Sequence, residues 1–458
     1  MLAKRMLATE SSIDALARYP RTQMTVLANG MTVATEHHPH AHTATVGVWI
    51  DAGSRSETEA NNGCAHFLEH MAFKGTADRT QRDLEREIED MGAHLNAYTS
   101  REQTAFYAKA HKKNVGRSVE ILADILQNSR LDPAAIERER DVILREYEEV
   151  NKQMEEVIFD YLHATAFQGH SLGRTILGPV ENIRSIQRDD LAGYIKDNYT
   201  AGRMVLVGAG AVDHDVLVKQ AEKLFSTLPS TGAVNTSLPH HAKPIFSGSE
   251  MKARNDTMPA AHLALAVESV GWNHPDYYPL MVLQAVVGSW ERALGASAHV
   301  SSPFLVRNVT ENGLANSYTS FNTSYADTGL WGAYMVSENL GGLDDLFFAL
   351  QKEWCRLSTA LGDAEVYRAK QQLKAALLTQ LDGTTAVAEE IGRQLVTTGK
   401  RVEPSDVERL VEAVSASDVR RVANEYLWDR EVAIVGLGPI ESMQDYMITR
   451  GRMSWNRF

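Results

Sequence analysis

The pattern of apolar and polar positions predicts strands and helices that alternate along the first half of the chain. Two short apolar segments flank Asn29-Gly30, the dipeptide that a type I′ hairpin turn prefers, and a strand pattern follows at residues 44–50. The longest helical pattern begins at Asp132-Pro133, a capping residue followed by proline at the first helical position. Apolar residues then recur every three or four positions, which predicts one amphipathic helix with a buried stripe formed by Ile136, Ile143, Tyr147, Val150 and Met154.

A pattern of helix, apolar strand and Gly-x-Gly turn occurs twice. Its copies lie at residues 190–210 and 418–438, at an offset of 227 or 228 residues. The sequence therefore predicts an α+β fold of two tandem homologous domains, each a mainly antiparallel sheet covered by helices. We place these domains at residues 21–230 and 249–458. Residues 231–248 are rich in proline, serine and glycine, which is typical of an exposed linker.

The composition narrows the classes of protein to which the chain can belong. It has 458 residues, more than the roughly 250–300 at which a single core stops growing. No run approaches the roughly 18 consecutive apolar residues of a membrane-spanning helix, so we expect no direct membrane span. Two cysteines form no disulfide framework, which favours a reducing compartment. The 46 basic and 59 acidic residues give a net charge of −13, which argues against nucleic acid and for cationic partners.

The first residues have the character of an organellar presequence. They include Lys4 and Arg5, and no acidic residue precedes Glu10. We therefore predict that residues 1–20 are a presequence or a flexible N-terminal segment. An ordinary N-terminus without a targeting role is the alternative interpretation.

One segment contains residues suited to a catalytic metal. His66 and His70 lie four positions apart and Glu69 precedes the second histidine, so all three fall within about 100° of arc on a helix. Imidazole nitrogens and carboxylates suit Zn²⁺, and a catalytic zinc site takes three protein ligands and keeps one position open. The arrangement His-x-x-Glu-His is the inverted form of the zincin motif. Two exposed histidines on a helix are the alternative interpretation.

A pair of acidic residues lies on the long predicted helix downstream. Glu139 and Glu146 are seven positions apart, so they share one face of that helix. One of them can ligate zinc while the other supports the ligands from two turns away. The spacing alone leaves both assignments open.

Three segments together resemble a known family. They are Ala65 to Thr76, Asn96 to Glu102, and the run Glu-Arg-Glu-Arg-Asp-Val-Ile-Leu-Arg-Glu at residues 137–146. They resemble the processing-peptidase branch of the pitrilysin-like inverted zincins, and the similarity extends over nearly the whole chain. The resemblance implies a zinc endopeptidase that removes N-terminal presequences from proteins imported into mitochondria. It also implies one Zn²⁺ per chain, with His66, His70 and Glu146 as ligands, Glu69 as catalytic base and Glu139 in support of the ligands.

The resemblance further implies a set of substrate contacts. Glu156 and Asp160 match an acidic pair that recognises arginine two residues before the cleaved bond, with a solvated acidic helix face as the alternative. The segment His94 to Glu102 would be an edge strand whose backbone pairs with the peptide at Asn96, Ala97 and Tyr98. Phe73 matches an aromatic residue in the pocket after the cleaved bond, although by itself it is typical of a core position.

The number of domains implies a partner. Single-chain relatives enclose a peptide with four such domains, whereas this chain has two. The glycine-rich loop typical of alpha-type subunits is absent, because Gly341-Gly342 are the only adjacent glycines. We therefore expect a heterodimer with an alpha-type processing peptidase subunit in the mitochondrial matrix, with cationic presequence peptides as substrates.

Two other functions stay open. The ending Met453 to Phe458 resembles that of core proteins of the ubiquinol:cytochrome c reductase. The chain could therefore be, instead or in addition, a structural core subunit that other subunits of that complex hold on the matrix side of the inner membrane. A self-associating peptidase of bacterial type with broader specificity is the third function.

The second copy lacks the metal ligands at the corresponding positions. An offset of 228 residues places Leu294 opposite His66 and Lys374 opposite Glu146, and neither residue type can replace the ligand. We therefore predict that only the first copy is catalytic. The second copy would form a wall of the substrate chamber or have a purely structural role.

Overall fold

The first half of the chain forms a six-stranded mixed sheet. The computed structural model describes residues 19–230, 242–293 and 303–455. The strands of the first sheet are β1 (Gln23–Val26), β2 (Thr32–His37), β3 (Thr43–Ile50), β4 (His94–Thr99), β5 (Thr104–His111) and β6 (Met204–Gly210). They lie in the order β1-β2-β6-β3-β5-β4, and neighbours are antiparallel apart from the parallel pair β2 and β6. The predicted hairpin is confirmed, because Val26 pairs with Thr32 across the Asn29-Gly30 turn.

The second half forms a six-stranded sheet in which five strands repeat the order of the first sheet. Its strands are β7 (Ser249–Arg254), β8 (Ala261–Ser269), β9 (Ser289–Glu291), β10 (Ser317–Ser324), β11 (Gly329–Ser337) and β12 (Ala433–Gly438). They lie in the order β7-β12-β8-β11-β10-β9, with β7 and β12 as the parallel pair. The series β7-β12-β8-β11-β10 therefore corresponds to β2-β6-β3-β5-β4. The predicted α+β fold of two homologous units is confirmed, whereas their boundaries stay a prediction because residues 231–241 lie outside the described residues.

Helices connect the strands of both sheets. In the described part of the first half they are α1 (Cys64–Met71), α2 (Gln81–Met91), α3 (Val115–Asn128), α4 (Pro133–Val150), α5 (Met154–Ala166), α6 (Val180–Ser185), α7 (Arg188–Asn198) and α8 (His214–Leu224). In the described part of the second half they are α9 (Tyr277–Val287), α10 (Phe304–Glu311), α11 (Leu343–Leu357), α12 (Asp363–Gln380), α13 (Thr384–Thr398), α14 (Pro404–Ala413), α15 (Ala416–Tyr426) and α16 (Tyr446–Trp455). None of the helices in the three described ranges has the length and apolar composition that crossing a membrane requires.

The long predicted helix ends earlier than its apolar pattern indicated. α4 begins as predicted, with Asp132 accepting a hydrogen bond from the Ala134 N–H at 2.8 Å and proline at the first helical position. It ends at Val150 and a short turn separates it from α5, so the prediction of one helix through Met154 was wrong. The physical reason is tertiary packing, because α5 packs on the second sheet, where Ile158 and Leu162 are fully buried.

Each half contributes one helix that packs on the sheet of the other half. α5 of the first half packs on β8 and β12. Its residue Leu162, and Phe167 just after the helix, share a buried cluster with Ala264 and Val435 of the second sheet. α13 of the second half packs on β3 and β6, and its residue Ile391 is buried in one cluster with strand residues of the first sheet that include Trp49, Val205 and Val207. Each sheet therefore has one apolar face that the other half of the chain covers.

Charged and polar groups also join the halves. Arg55 of the first half is 3% exposed and donates to Glu102 at 2.6 Å and to Asp327 of the second half at 2.8 Å. Glu389 of α13 accepts hydrogen bonds from the Tyr98 hydroxyl at 2.5 Å and from the indole N–H of Trp49 at 3.1 Å. These contacts hold the second half against β3, β4 and the loops that follow them.

Candidate metal centre

A buried carboxylate holds the start of α1, the helix that contains His66, Glu69 and His70. Gly63 at its N-cap has a φ of 107°, and a Cβ there would lie 2.7 Å from the Leu177 carbonyl oxygen, so glycine is required. Because glycine has no capping side chain, Glu57 instead accepts hydrogen bonds from the N–H groups of Gly63 at 3.0 Å and Ala65 at 2.7 Å. Burial raises the pKa of Glu57 to about 7, although these donors oppose the shift. The carboxylate thus fixes the first turn of the helix.

His66, His70 and Glu146 lie together in the structure. The two imidazole ring centroids are 4.7 Å apart, with an angle of 68° between the ring planes. Oε2 of Glu146, on α4, lies 3.0 Å from Nε2 of His70 and 3.6 Å from Nε2 of His66. Each residue offers one ligand-type atom, and these atoms all lie within 4.8 Å of one another. Among the described residues, this is the one such group of three or more His, Cys, Asp or Glu.

The geometry of this group fits a divalent cation. Ligand atoms about 2.0–2.1 Å from a tetrahedral Zn²⁺ lie roughly 3.3 Å from one another, which falls between the two separations given above. Oε2 of Glu146 is buried and has no hydrogen-bond partner within the described ranges, although it faces both imidazoles. A cation between the three side chains would supply the missing partner.

A second carboxylate orients His70. Oε1 of Glu139 is 3.0 Å from Nδ1 of His70, and Lys74 Nζ lies 2.9 Å from Oε2 of Glu139. Because Nδ1 is engaged in this way, Nε2 is the nitrogen that faces Glu146. Burial lowers the pKa of His70, but the carboxylates of Glu146 and Glu139 outweigh burial and raise it. Contacts with His66 and His70 hold the pKa of Glu146 well below its usual range.

Glu69 lies on the same helix and has no competing partner. Its side chain is partly exposed and forms no hydrogen bond or ion pair with another described residue. The buried hydroxyl of Tyr199, just after α7, has no hydrogen-bond partner in the described part of the chain. Burial raises the pKa of Tyr199, and the negative charge of Glu69 adds to the shift. A carboxylate that is free in this way can accept a proton from a water molecule.

Strand β4 leaves one edge of the first sheet open. Among the described strands it pairs with β5 alone, and the pairs include Asn96 with Tyr107, Ala97 with Phe106 and Tyr98 with Ala105. Its outer backbone groups can therefore pair with an extended peptide. Helix α1 packs beside this strand. Phe73 is partly buried against the core of the first half.

The two residues predicted to bind arginine have different surroundings. Both lie on α5, but Oδ1 of Asp160 is 2.6 Å from Nη2 of Arg101. Glu156 is exposed and has no hydrogen-bond or ion-pair partner among the residues that the structure describes. An arginine of this chain therefore occupies one of the two carboxylates.

The corresponding place in the second half has no set of ligands. α9 packs on α12, α15 and β10 as α1 packs on α4, α7 and β4. The sequence of α9 contains no His, Cys, Asp or Glu, and Lys374 of α12 pairs with Glu412 at 3.0 Å. The constant offset of 228 residues was wrong for this helix, because it places Leu294 opposite His66, and Leu294 lies outside both α9 and the described residues.

Three residues near the site were missing from the sequence-based set. Glu57 lies in a loop nine positions before His66, where no periodicity could reveal it. Lys74 lies within the segment Ala65 to Thr76 that carries the family resemblance. That position is the sequence signal for its contact with Glu139 of α4. Arg101 also lies in a resembling segment, but its ion pair depends on where the distant helix α5 packs.

Both halves of this chain match a known protein family. Residues 32–180 match the family Insulinase (Peptidase family M16), and residues 185–373 match the Peptidase M16 inactive domain. The mitochondrial-processing peptidase subunit beta of Lentinula edodes is 61% identical over 95% of this chain and 94% of that protein. The protein of the same name from Homo sapiens is 50% identical over 99% of this chain and 92% of that protein.

A solved structure resembles the chain over almost its full length. A chain of the structure "Complex III2 from Candida albicans, Inz-5 bound" has a TM-score of 0.85 at 29% identity, covering 94% of this chain and 100% of that chain. The similarity to the two processing peptidase subunits covers nearly all of both halves. The chain therefore belongs to the metallopeptidase family M16, among its mitochondrial-processing peptidase beta subunits.

Proposed function

We propose that the chain is the catalytic subunit of a zinc endopeptidase that removes N-terminal presequences from proteins imported into mitochondria. One observation supports this function most strongly. His66 and His70 converge with Glu146, and the helix that bears both histidines and the unengaged Glu69 packs beside the open edge of β4. The shared name of the relatives supports the same class of substrate.

The chemical roles follow from the contacts. We infer that Nε2 of His66, Nε2 of His70 and Oε2 of Glu146 hold one zinc ion. A divalent cation held there would act as a Lewis acid, lowering the pKa of a water molecule and polarising a peptide carbonyl. Glu69 accepts a proton from the attacking water and later donates it to the leaving amine. Glu139 keeps Nε2 of His70 turned toward the centre by accepting a hydrogen bond from Nδ1.

The substrate contacts follow from the position of β4 and α5. An extended peptide would add to the sheet at the backbone of Asn96, Ala97 and Tyr98. Glu156 and Asp160 would bind an arginine two residues before the cleaved bond through charge-assisted hydrogen bonds. Phe73 would contact the residue after that bond. The net charge of −13 favours a cationic peptide over an acidic one.

We propose an alpha-type processing peptidase subunit as the partner and the mitochondrial matrix as the location. The relatives are named as beta subunits, which supports an assembly with another subunit. A second function is favoured by the match to a chain of Complex III2, with its TM-score of 0.85. In that role the chain would be a core subunit that other subunits of the complex hold at the inner membrane.

Cleavage of a presequence peptide tests the first function. The peptide is incubated with this chain alone, with the chain and an alpha-type subunit, and with the same mixture after treatment with a chelator. We expect cleavage at one bond by the mixture, loss of cleavage after chelation and recovery when Zn²⁺ is added. A zinc-loaded mixture that leaves the peptide intact would contradict the proposal. Co-purification of the chain with the complex from detergent-solubilised inner membrane tests the second function.

A further inference from the structure

The acidic helix α5 already holds an arginine that belongs to this chain. Nη2 of Arg101 donates to Oδ1 of Asp160 at 2.6 Å, and the two side chains are 11% and 27% exposed. Glu156, one turn earlier on the same helix, is exposed and has no partner within the described residues. An incoming guanidinium therefore meets one free carboxylate and one that is occupied.

Arg101 lies where the peptide-binding edge joins the second half of the chain. It follows β4 in the turn to β5, and the N–H of Arg55 donates to its carbonyl oxygen at 2.7 Å, which fixes the backbone. The neighbouring guanidinium of Arg55 is held by Glu102 and Asp327. These two carboxylates are therefore engaged elsewhere, which leaves Asp160 as the acidic partner of Arg101.

The ion pair between Arg101 and Asp160 is incompletely satisfied. Nε of Arg101 is buried and has no hydrogen-bond partner among the described residues. A buried N–H without an acceptor costs free energy and offsets part of what the ion pair contributes. Displacing this guanidinium from Asp160 therefore costs less free energy than displacing one whose N–H groups all have partners.

We propose that Arg101 is a specificity-determining residue that competes with the arginine of the substrate for Asp160. This inference rests on the proposed function and extends it. Glu156 makes the first contact with the incoming guanidinium, and Asp160 joins only when Arg101 is displaced. Arg101 thereby weakens the preference of the enzyme for arginine at this position, because part of the binding free energy is used to separate the internal pair.

The variant R101Q tests the competition, because glutamine keeps much of the side-chain length and removes the charge. R452Q is the matched control, since Arg452 forms an ion pair of similar exposure with Asp344 in the second half, at 19% and 26%. Each protein is combined with the alpha-type subunit and Zn²⁺. Two peptides are compared that differ only in arginine or citrulline two residues before the cleaved bond.

We expect R101Q to raise the ratio of kcat/KM for the arginine peptide to that for the citrulline peptide by about two- to fivefold, the range expected when a partly exposed ion pair no longer competes. R452Q should leave the ratio as in the wild type. A ratio that is unchanged or lower in R101Q would overturn the proposal, since Arg101 would then position Asp160 for the substrate or have no influence on it.

A second variant covers the case in which R101Q fails to fold. R101K keeps the positive charge but has no planar fork, so it should hold Asp160 less well and raise the ratio by a smaller factor. A ratio at or below that of the wild type would again overturn the proposal. Failure of the wild type to cleave either peptide would contradict the proposed function itself, whereas cleavage with an unchanged ratio in the variants contradicts only the role of Arg101.

Discussion

The two halves of the chain have corresponding helices and strands, but the side chains on the corresponding helices α1 and α9 differ. In the first half, α1 brings two histidines against Glu146 of α4. In the second half, α9 occupies the corresponding position with apolar residues, and Leu280, Leu283 and Val287 are fully buried. Both halves therefore pack a helix at this place, whereas only the first half has a group suited to hold a metal ion among the described residues.

Each half nevertheless depends on the other. The second half has no group like that of His66, His70 and Glu146 in its described residues, yet its helix α13 covers a face of the first sheet. Its Glu389 also accepts a hydrogen bond from Tyr98 of the edge strand β4. In the same way, α5 of the first half covers the second sheet. The half without such a group thus contacts the edge strand of the half that has it.

The largest contrast between the halves should follow from replacing Glu146. We expect E146Q to lose most of its bound zinc and at least about 10⁴-fold of its peptidase activity, because both the cation and its Lewis acidity are removed. The matched change on α12, K374Q, should keep the zinc and most of the activity. Metal analysis of the two purified proteins and kinetics with the alpha-type subunit check this. Full zinc occupancy in E146Q would mean that another residue is the third ligand.

Replacing Glu69 tests proton transfer separately from metal binding. We expect E69Q to lose about 10²–10⁴-fold in kcat while it keeps one zinc per chain, because the amide cannot accept the proton. Glu149, an exposed residue of α4 paired with Lys152 at 2.6 Å, provides the control E149Q, whose kcat should match that of the wild type. A folded but zinc-free E69Q protein would show that Glu69 is a ligand instead.

Helices α5 and α13, which each pack on the sheet of the other half, should be equally important for stability. Leu162 of α5 and Ile391 of α13 are both 0% exposed, and each packs on the sheet of the other half. We expect L162A and I391A each to lower the free energy of unfolding by about 2–5 kcal/mol, whereas L410A, at a position that is 39% exposed, should cost under about 1 kcal/mol. Denaturant unfolding followed by circular dichroism and tryptophan fluorescence measures this. Loss of only one half's signal in either variant would contradict mutual dependence.

The smallest expected effect concerns the carboxylates at the starts of α1 and α9. Burial raises the pKa of Glu57 to about 7, whereas the hydrogen bond from Arg421 lowers the pKa of Asp276. A raised carboxyl pKa contributes stability at low pH that is lost as pH rises through the folded-state value. Relative to that of E57Q, the free energy of unfolding of the wild type should therefore fall by up to about 3 kcal/mol between about pH 5 and 8.

The difference in free energy of unfolding between the wild type and D276N should stay constant over this pH range. A lowered carboxyl pKa contributes stability that is lost only in more acidic solution. Denaturant unfolding of chelator-treated proteins at several pH values measures both differences. Parallel curves for the wild type and E57Q would show that Glu57 titrates normally.

Local patterns predicted much of the fold because the responsible residues are close in sequence. The Asn29-Gly30 hairpin and the start of α4 at Pro133 were predicted from turn and capping preferences, which involve only a few neighbouring residues. The seven-residue spacing of Glu139 and Glu146 likewise placed both on one face of α4, and the structure brings both to His70. Apolar periodicity did not reveal that the helix ends at Val150, because the direction of α5 depends on a sheet that lies later in the chain.

The sequence by itself determined which residues could act together: two histidines one turn apart, a glutamate beside them, and an acidic pair on a downstream helix. Only the tertiary structure decided that Glu57 holds the start of α1, that α5 and α13 cross between the halves, and that Arg101 occupies Asp160. The physical reason is distance along the chain. Helix period and capping arise from adjacent residues, whereas these contacts arise only when the surfaces of two complete sheets pack together.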